Sequence, residues 1–269
     1  MKKVLSIILW IVLGVLLVAY LFFRFGMNFT KSDEEIAAKF ANQAHQPAFR
    51  TYQVNGFEMH YADMGADTLP TLIFIHGSPG TWDAYLNYFL DPSLVGKYRM
   101  IAMDRIGYGK SDPGKAQSEL QVQADLIAPL LATVPKEVPL IIVGHSFGGP
   151  VCIKLAMDHP HRIDGMMLLA GLADPVHEKR VYWLQTPFTH KALRWLLPPD
   201  MDVSNREILP LKGELKLIED DWSTIQARTI VMQGGKDMLV APPHADFVEA
   251  KLGHVPLEMV ELPEENHFI

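Results

Sequence analysis

The sequence predicts an α/β protein, with a mostly parallel sheet covered by helices on both faces and one apolar helix of membrane-spanning length ahead of it. Three observations lead there. Predominantly apolar, strand-like runs recur at residues 71–75, 99–103, 139–143, 166–170, 229–233 and 257–261, and a mainly apolar run is expected of a strand with both faces covered. Segments with helical spacing lie between them, and strand–helix alternation implies crossover connections and so a parallel sheet. Val4 to Phe23 is interrupted only by Ser6 and Gly14, and its 20 residues, at about 1.5 Å each, reach about 30 Å, the thickness of a hydrocarbon core.

In chain order, the apolar stretch comes first. It runs directly into Tyr20-Leu21-Phe22-Phe23-Arg24 without the small-x-small site of a cleaved signal peptide, so residues 1–25 are expected to be a retained transmembrane signal anchor. Lys2 and Lys3 precede it, and Arg24 and Lys31 follow it. The expected orientation is a short tail inside and the main domain on the extracytoplasmic side. Residues 26–49 read as a polar tether with a short helix, and residues 50–269 as one globular domain, long enough to bury a sizeable core. A hairpin, Thr51 to Val54 and Phe57 to Ala62, turns at Asn55-Gly56, a dipeptide that tolerates the positive φ of a tight turn. Ser118 to Thr133 carries Leu120, Ala124, Ile127 and Leu131 at helical spacing, and Val151, Cys152, Leu155 and Ala156 share one helix face. The interval from Leu172 to Trp222 breaks the rhythm with prolines and the aromatics Tyr182, Trp183, Phe188 and Trp195.

The formal net charge is -7, and no basic run occurs beyond the amino terminus, which argues against nucleic acid as a partner. Cys152 is the single cysteine, so no intrachain disulfide exists and the thiol says nothing about compartment.

The chemistry concentrates at residues 140–149, Leu-Ile-Ile-Val-Gly-His-Ser-Phe-Gly-Gly. A strand that turns at once into a helix forces Ser146 into a sharp elbow, with Gly144 and Gly148 leaving room for backbone to pass. Ser146 is the candidate nucleophile. The helix beginning near Phe147 directs its free N–H groups to where an acyl-transfer intermediate would carry negative charge. A nucleophilic serine needs a base, and the base needs an orienting acid. Asp237 follows the apolar run 229–233, where open α/β sheets place their ligands, and His267 follows the run 257–261.

The order Ser146, Asp237, His267 resembles that of the α/β-hydrolase superfamily, in its fold-1 branch, over residues 50–269. His76-Gly77-Ser78-Pro79-Gly80 is similar to the family's oxyanion loop, and Asp104-Arg105-Ile106-Gly107-Tyr108-Gly109-Lys110-Ser111 to its structural loop at the next strand end. The resemblance implies an oxyanion hole built from the backbone N–H groups of Ser78 and Phe147. It also implies a small helical cap over the site at about residues 172–222, and a further helix after the histidine loop, where this sequence ends at Ile269. Close relatives with a similar loop, the epoxide hydrolases and haloalkane dehalogenases, carry aspartate at the elbow, whereas this chain has serine. Carboxylic ester hydrolysis through a Ser-His-Asp acyl-enzyme is therefore the leading function, on a small-molecule ester or lipid-like substrate. One alternative is an aminopeptidase of the proline iminopeptidase type, which would need acidic cap groups such as Glu178, Glu207 or Glu214. Another is a non-catalytic, membrane-tethered binding protein on the same fold.

Rival residues have other readings. Asp174, just past residues 166–170, competes with Asp237 as the acid. His76 and His145 lie inside motifs whose backbone does the chemistry, so both are expected to pack loops, and His254 is expected at the surface. His159 and His161 lack a third ligand for a metal. Gly109-Lys110-Ser111 imitates a P-loop but has Asp104 in place of its first glycine, and Gly107-x-Gly109 has Asp112 in place of a third. No cofactor is implied.

Overall fold

Asn55 and Gly56 both have positive φ, 50° and 80°, the geometry that lets a two-residue turn follow the twist of its strands. They join β1 (Ala48–Val54) to β2 (Phe57–Met64) in an antiparallel hairpin. The remaining strands are β3 (Thr71–Ile75), β4 (Arg99–Met103), β5 (Leu140–His145), β6 (Gly165–Leu169), β7 (Arg228–Gly234) and β8 (Leu257–Leu262). In this computed structural model, which describes residues 2–26, 30–178 and 185–269, they form one sheet in the order β1-β2-β4-β3-β5-β6-β7-β8. Every pairing from β4 onward is parallel. The order reverses around β3, so the ends of β3 and β5 open into one crevice, where α/β sheets bind ligands.

The helices are α1 (Lys2–Gly26), α2 (Asp33–Phe40), α3 (Leu86–Leu90), α4 (Leu120–Leu131), α5 (Gly148–Asp158), α6 (Lys191–Arg194), α7 (Pro199–Ile208), α8 (Leu211–Leu217) and α9 (Pro243–Lys251). Helices α6 to α8 lie within the cap interval. The apolar runs divide between two cores by strand parity. Ile73, Ile75, Ile101, Met103 and Ile142 face a core shared with α4 and α5. Leu72, Phe74, Met100, Ala102 and Val143 face the other, with Trp82, Tyr85 and Phe89.

That second core also takes Ile36 and Phe40 of α2, so the segment expected as a tether is partly docked. Ser32 and Glu35 close a capping box at the start of α2, and the two apolar residues, one helical turn apart, then fall on the face that meets the sheet. Strand β1 likewise starts at Ala48 rather than Thr51, because pairing of Ala48 with Asp63 extends the edge strand beyond any apolar pattern. Helix α1 is exposed along its described length except at Tyr20 and Arg24, which are partly covered, and Lys3–Gly26 is long and apolar enough to cross a membrane. A segment of that kind serves as a membrane anchor or a signal sequence.

Candidate active site

Ser146 has φ 53°, a left-handed conformation costly for a residue with a side chain and characteristic of functional turns. Surrounding bonds hold it there. Its amide donates to Leu169 O at 3.0 Å, and its carbonyl accepts from Gly149 N at 2.9 Å and Leu172 N at 3.1 Å. The elbow tolerates no side chain on either flank: a Cβ on Gly148 would stand 2.0 Å from Ile75 O, and one on Gly144 would stand 2.5 Å from Gly148 O. Cys152 is buried beneath the elbow, and burial pushes its thiol up, as suits a core residue.

Asp237 and His267 meet across β7 and β8. Asp237 Oδ2 lies 2.8 Å from His267 Nδ1, while its Oδ1 accepts the N–H groups of Leu239 and Val240, each at 2.8 Å. Gln233 Nε2 adds a donor to Oδ2 at 3.3 Å. A carboxylate held from several directions fixes the imidazole plane and calls for a proton on Nδ1, which leaves Nε2 as the acceptor. His267 is 5% exposed. Its carbonyl accepts from His145 Nε2 at 3.0 Å, and Lys236 N donates to Glu265 O at 2.9 Å in the same loop. Burial holds the His145 pKa below the usual imidazole value, so the neutral ring spends its one proton on the histidine loop. The rival Asp174 pairs instead with His177 Nδ1 and accepts Val176 N at 2.6 Å.

The loop from His76 to Gly80 is anchored from beneath. His76 Nδ1 donates to Gly77 O at 2.7 Å, and Nε2 accepts Arg105 N at 2.9 Å. Burial keeps this imidazole well below its usual pKa, so His76 is a neutral brace and unfit as a base. Arg105 donates from Nε to His76 O at 2.9 Å and from Nη2 to Gly77 O at 3.0 Å. Its fork also meets both carboxylate oxygens of Glu207, at 2.8 Å each, a bidentate pair between the structural loop and cap helix α7. The Tyr108 hydroxyl donates to Glu207 Oε1 at 2.6 Å, and Ser78 Oγ stands 3.0 Å from that hydroxyl and 2.8 Å from Ser204 Oγ. Sequence reasoning missed this network; its one local signal was a charged Arg105 two residues past the end of β4. Ser78 and Phe147, the expected oxyanion donors, both line the cavity that Ser146 also lines. Among the described residues, no protein acceptor takes either N–H.

The cavity measures about 860 Å³ and contains Ser146, His267 and the His76 loop against a mainly apolar wall including Tyr88, Leu169, Leu172 and Leu239. Ile208 is the described cap residue that lines it. Phe188 and Trp195 do not, and Tyr182 and Trp183 lie outside the described residues. None of the cap carboxylates lines it either. Glu207 is committed to Arg105, Glu214 accepts Leu120 N at 3.0 Å, and Glu178 is buried elsewhere. Among the described residues, no group of three His, Cys, Asp or Glu side chains converges to hold a metal ion.

The family model of the alpha/beta hydrolase fold matches residues 70–189. That match, over 120 residues, and the sheet order support the α/β-hydrolase superfamily for this chain. It is 27% identical over 228 residues to a dihydrolipoyllysine-residue acetyltransferase component of the acetoin cleaving system of Cupriavidus necator, covering 74% of this chain and 60% of that protein. It thus spans about three-fifths of the length of that relative. It is 35% identical over 127 residues to a 2-hydroxymuconate semialdehyde hydrolase of a Pseudomonas species, covering 46% of this chain and 44% of the relative. Among solved structures, a membrane phospholipase A superposes with a TM-score of 0.64 at 18% identity, covering 100% of this chain and 93% of the other. That likeness concerns the fold. The relatives also include an epoxide hydrolase of Siraitia grosvenorii, 32% identical over 123 residues that cover 45% of this chain and 37% of that protein.

Proposed function

We propose that the chain is a serine hydrolase that cleaves carboxylic esters, tethered to a membrane by α1. The observation that carries this reading is the 2.8 Å contact of Asp237 Oδ2 with Nδ1 of His267, which lines the same cavity as the strained Ser146. His267 Nε2 takes the Ser146 proton as Oγ attacks the carbonyl carbon, and the oxyanion rests on the N–H groups of Ser78 and Phe147. The imidazolium, stabilised by Asp237, then protonates the leaving alkoxide. Water attacks the acyl-enzyme with His267 as base, releasing the acid and restoring Ser146. The apolar wall favours an acyl chain or another apolar ester group, in line with a small-molecule or lipid-like substrate.

The same proposal takes residues 1–25 as a single-pass anchor, residues 26–49 as the partly docked connection and residues 50–269 as the catalytic domain on the extracytoplasmic side. An organophosphonate probe should label the wild type and not Ser146→Ala, and the variant should lose turnover on a panel of acyl esters. Undiminished hydrolysis by Ser146→Ala would end the serine-hydrolase reading. Absence of labelling together with no turnover of esters or aminoacyl amides by the wild type would favour a binding protein. The anchor is tested separately: the chain should stay in membranes after a carbonate wash with its amino terminus intact, and protease accessibility should report the side.

A further inference from the structure

A second cleft opens where the end of α1 meets the cap, far from Ser146 in sequence and sharing no lining residue with its cavity. Arg24 Nε donates to Trp195 O at 3.1 Å, and the Tyr20 hydroxyl approaches the same oxygen at 3.3 Å. The Tyr20 and Trp195 rings meet edge to face with centroids 6.0 Å apart. The cleft encloses about 340 Å³ and includes Arg24, Lys191, Arg194, Trp195 and Asp202 in its lining. Cations therefore outnumber carboxylates. Asp202 is already shared, since Arg194 holds both its oxygens at 2.9 and 2.8 Å and Arg206 Nη2 lies 3.1 Å away. The bond to Trp195 uses only Nε of Arg24, one of the five N–H donors of a guanidinium, and Lys191 is exposed.

Covalent continuity sets the depth of this cleft. If Val4 to Phe23 fills the hydrocarbon layer, Arg24 is the first charged residue beyond it and stands among the headgroups. Trp195, held against Tyr20 and Arg24, then lies in the interfacial belt favoured by tryptophan and tyrosine. We infer that this cleft binds the phosphate of an anionic lipid headgroup in the leaflet where α1 ends. Arg24 and Lys191, both lining the cleft, donate to the phosphate, Arg194 adds positive potential while anchored by Asp202, and Trp195 covers the acyl boundary. A bound lipid would bridge α1 and α6 and so fix the cap relative to the bilayer. The inference rests on α1 spanning the membrane and not on the esterase chemistry.

The test uses the full chain in neutral detergent micelles, with its thermal midpoint followed as phosphatidylglycerol, phosphatidylcholine or inorganic phosphate is added. Ligand that binds the folded state raises the midpoint. Phosphatidylglycerol should bind about tenfold or more tightly than phosphatidylcholine, as several basic groups near a headgroup imply. Lys191→Gln should weaken that binding about fivefold, and Arg24→Gln by a similar factor, with soluble-ester hydrolysis by Lys191→Gln unchanged. Equal affinity for the two lipids, or full affinity in both variants, would overturn the inference. Binding of inorganic phosphate with the same dependence on Lys191 would assign the cleft to a free anion and overturn the lipid source. Release of the chain by a carbonate wash would remove the span itself, whatever Ser146 does.

Discussion

Replacing Glu207 with glutamine leaves the Arg105 guanidinium without a counter-charge at a place water does not reach. Both side chains are 0% exposed and joined by two 2.8 Å bonds. Removing one partner of a buried pair costs about 3–5 kcal/mol, because the remaining charge is left uncompensated. Arg105 keeps neutral acceptors in His76 O, Gly77 O and Gln123 Oε1, which places the expected loss near the lower end, about 3 kcal/mol. For a domain of this size each kcal/mol shifts the midpoint by about 2–4 °C, so the variant should melt roughly 6–12 °C below wild type. Urea and thermal unfolding of the full chain in a nonionic detergent would measure it. The difference should persist between low and high salt, since ions screen buried charges little. Ester turnover should also fall, because Arg105 holds the carbonyls of His76 and Gly77 directly before Ser78. A loss below about 1 kcal/mol, the range of an exposed pair, or one erased by salt, would show that the pair is not the buried link between cap and oxyanion loop.

Asp237→Asn should slow acylation by about three to four orders of magnitude by favouring the wrong imidazole tautomer, while Asp174→Asn should change it less than about tenfold; pre-steady-state kinetics on a chromogenic ester would expose the reverse pattern. Gly148→Ala should yield no folded protein, because its Cβ would meet the carbonyl of Ile75 at 2.0 Å, whereas Gly213→Ala, in α8 with open space around it, should add up to about 1 kcal/mol of stability. Equal yields and midpoints would contradict the close approach at the elbow. His76 and His145 are both held below the ordinary imidazole pKa by burial, so the unfolded chain binds more protons than the native one once pH falls below about 6.5. Their contribution is intact above that value and declines as the solution is acidified toward the folded pKa values. His145→Gln, which keeps a donor near Nε2, should flatten the fall of midpoint with acidity, and an unchanged slope would place His145 in water.

Local patterning was sufficient for the elements that make the sheet. Apolar runs located β3 through β7 to within a residue or two, because strands covered on both faces are dominated by apolar side chains, and the mixed run of the edge strand β8 was located by its β-branched and apolar content alone. The same logic was silent on Ala48 to Arg50: an edge strand has one neighbour, its residues are exposed, and nothing in their composition marks them. Ile36 and Phe40 carried a signal that was too short to distinguish a docked helix from a solvated one.

The sequence by itself marked Ser146, Asp237 and His267 as the groups proposed to do the chemistry, since motif order and strand ends indicate where such groups emerge. It favoured Asp237 over Asp174 from the strand each follows, but which carboxylate reaches an imidazole carried by another strand is a matter of tertiary geometry. Tertiary structure alone decided that Asp174 turns to His177, that Arg105 meets Glu207 102 residues away, and that Arg24 meets Trp195 171 residues away. Periodicity along a chain reports that a face is buried and not what buries it. Partners so far apart are chosen by sheet order and cap placement, which no local window contains.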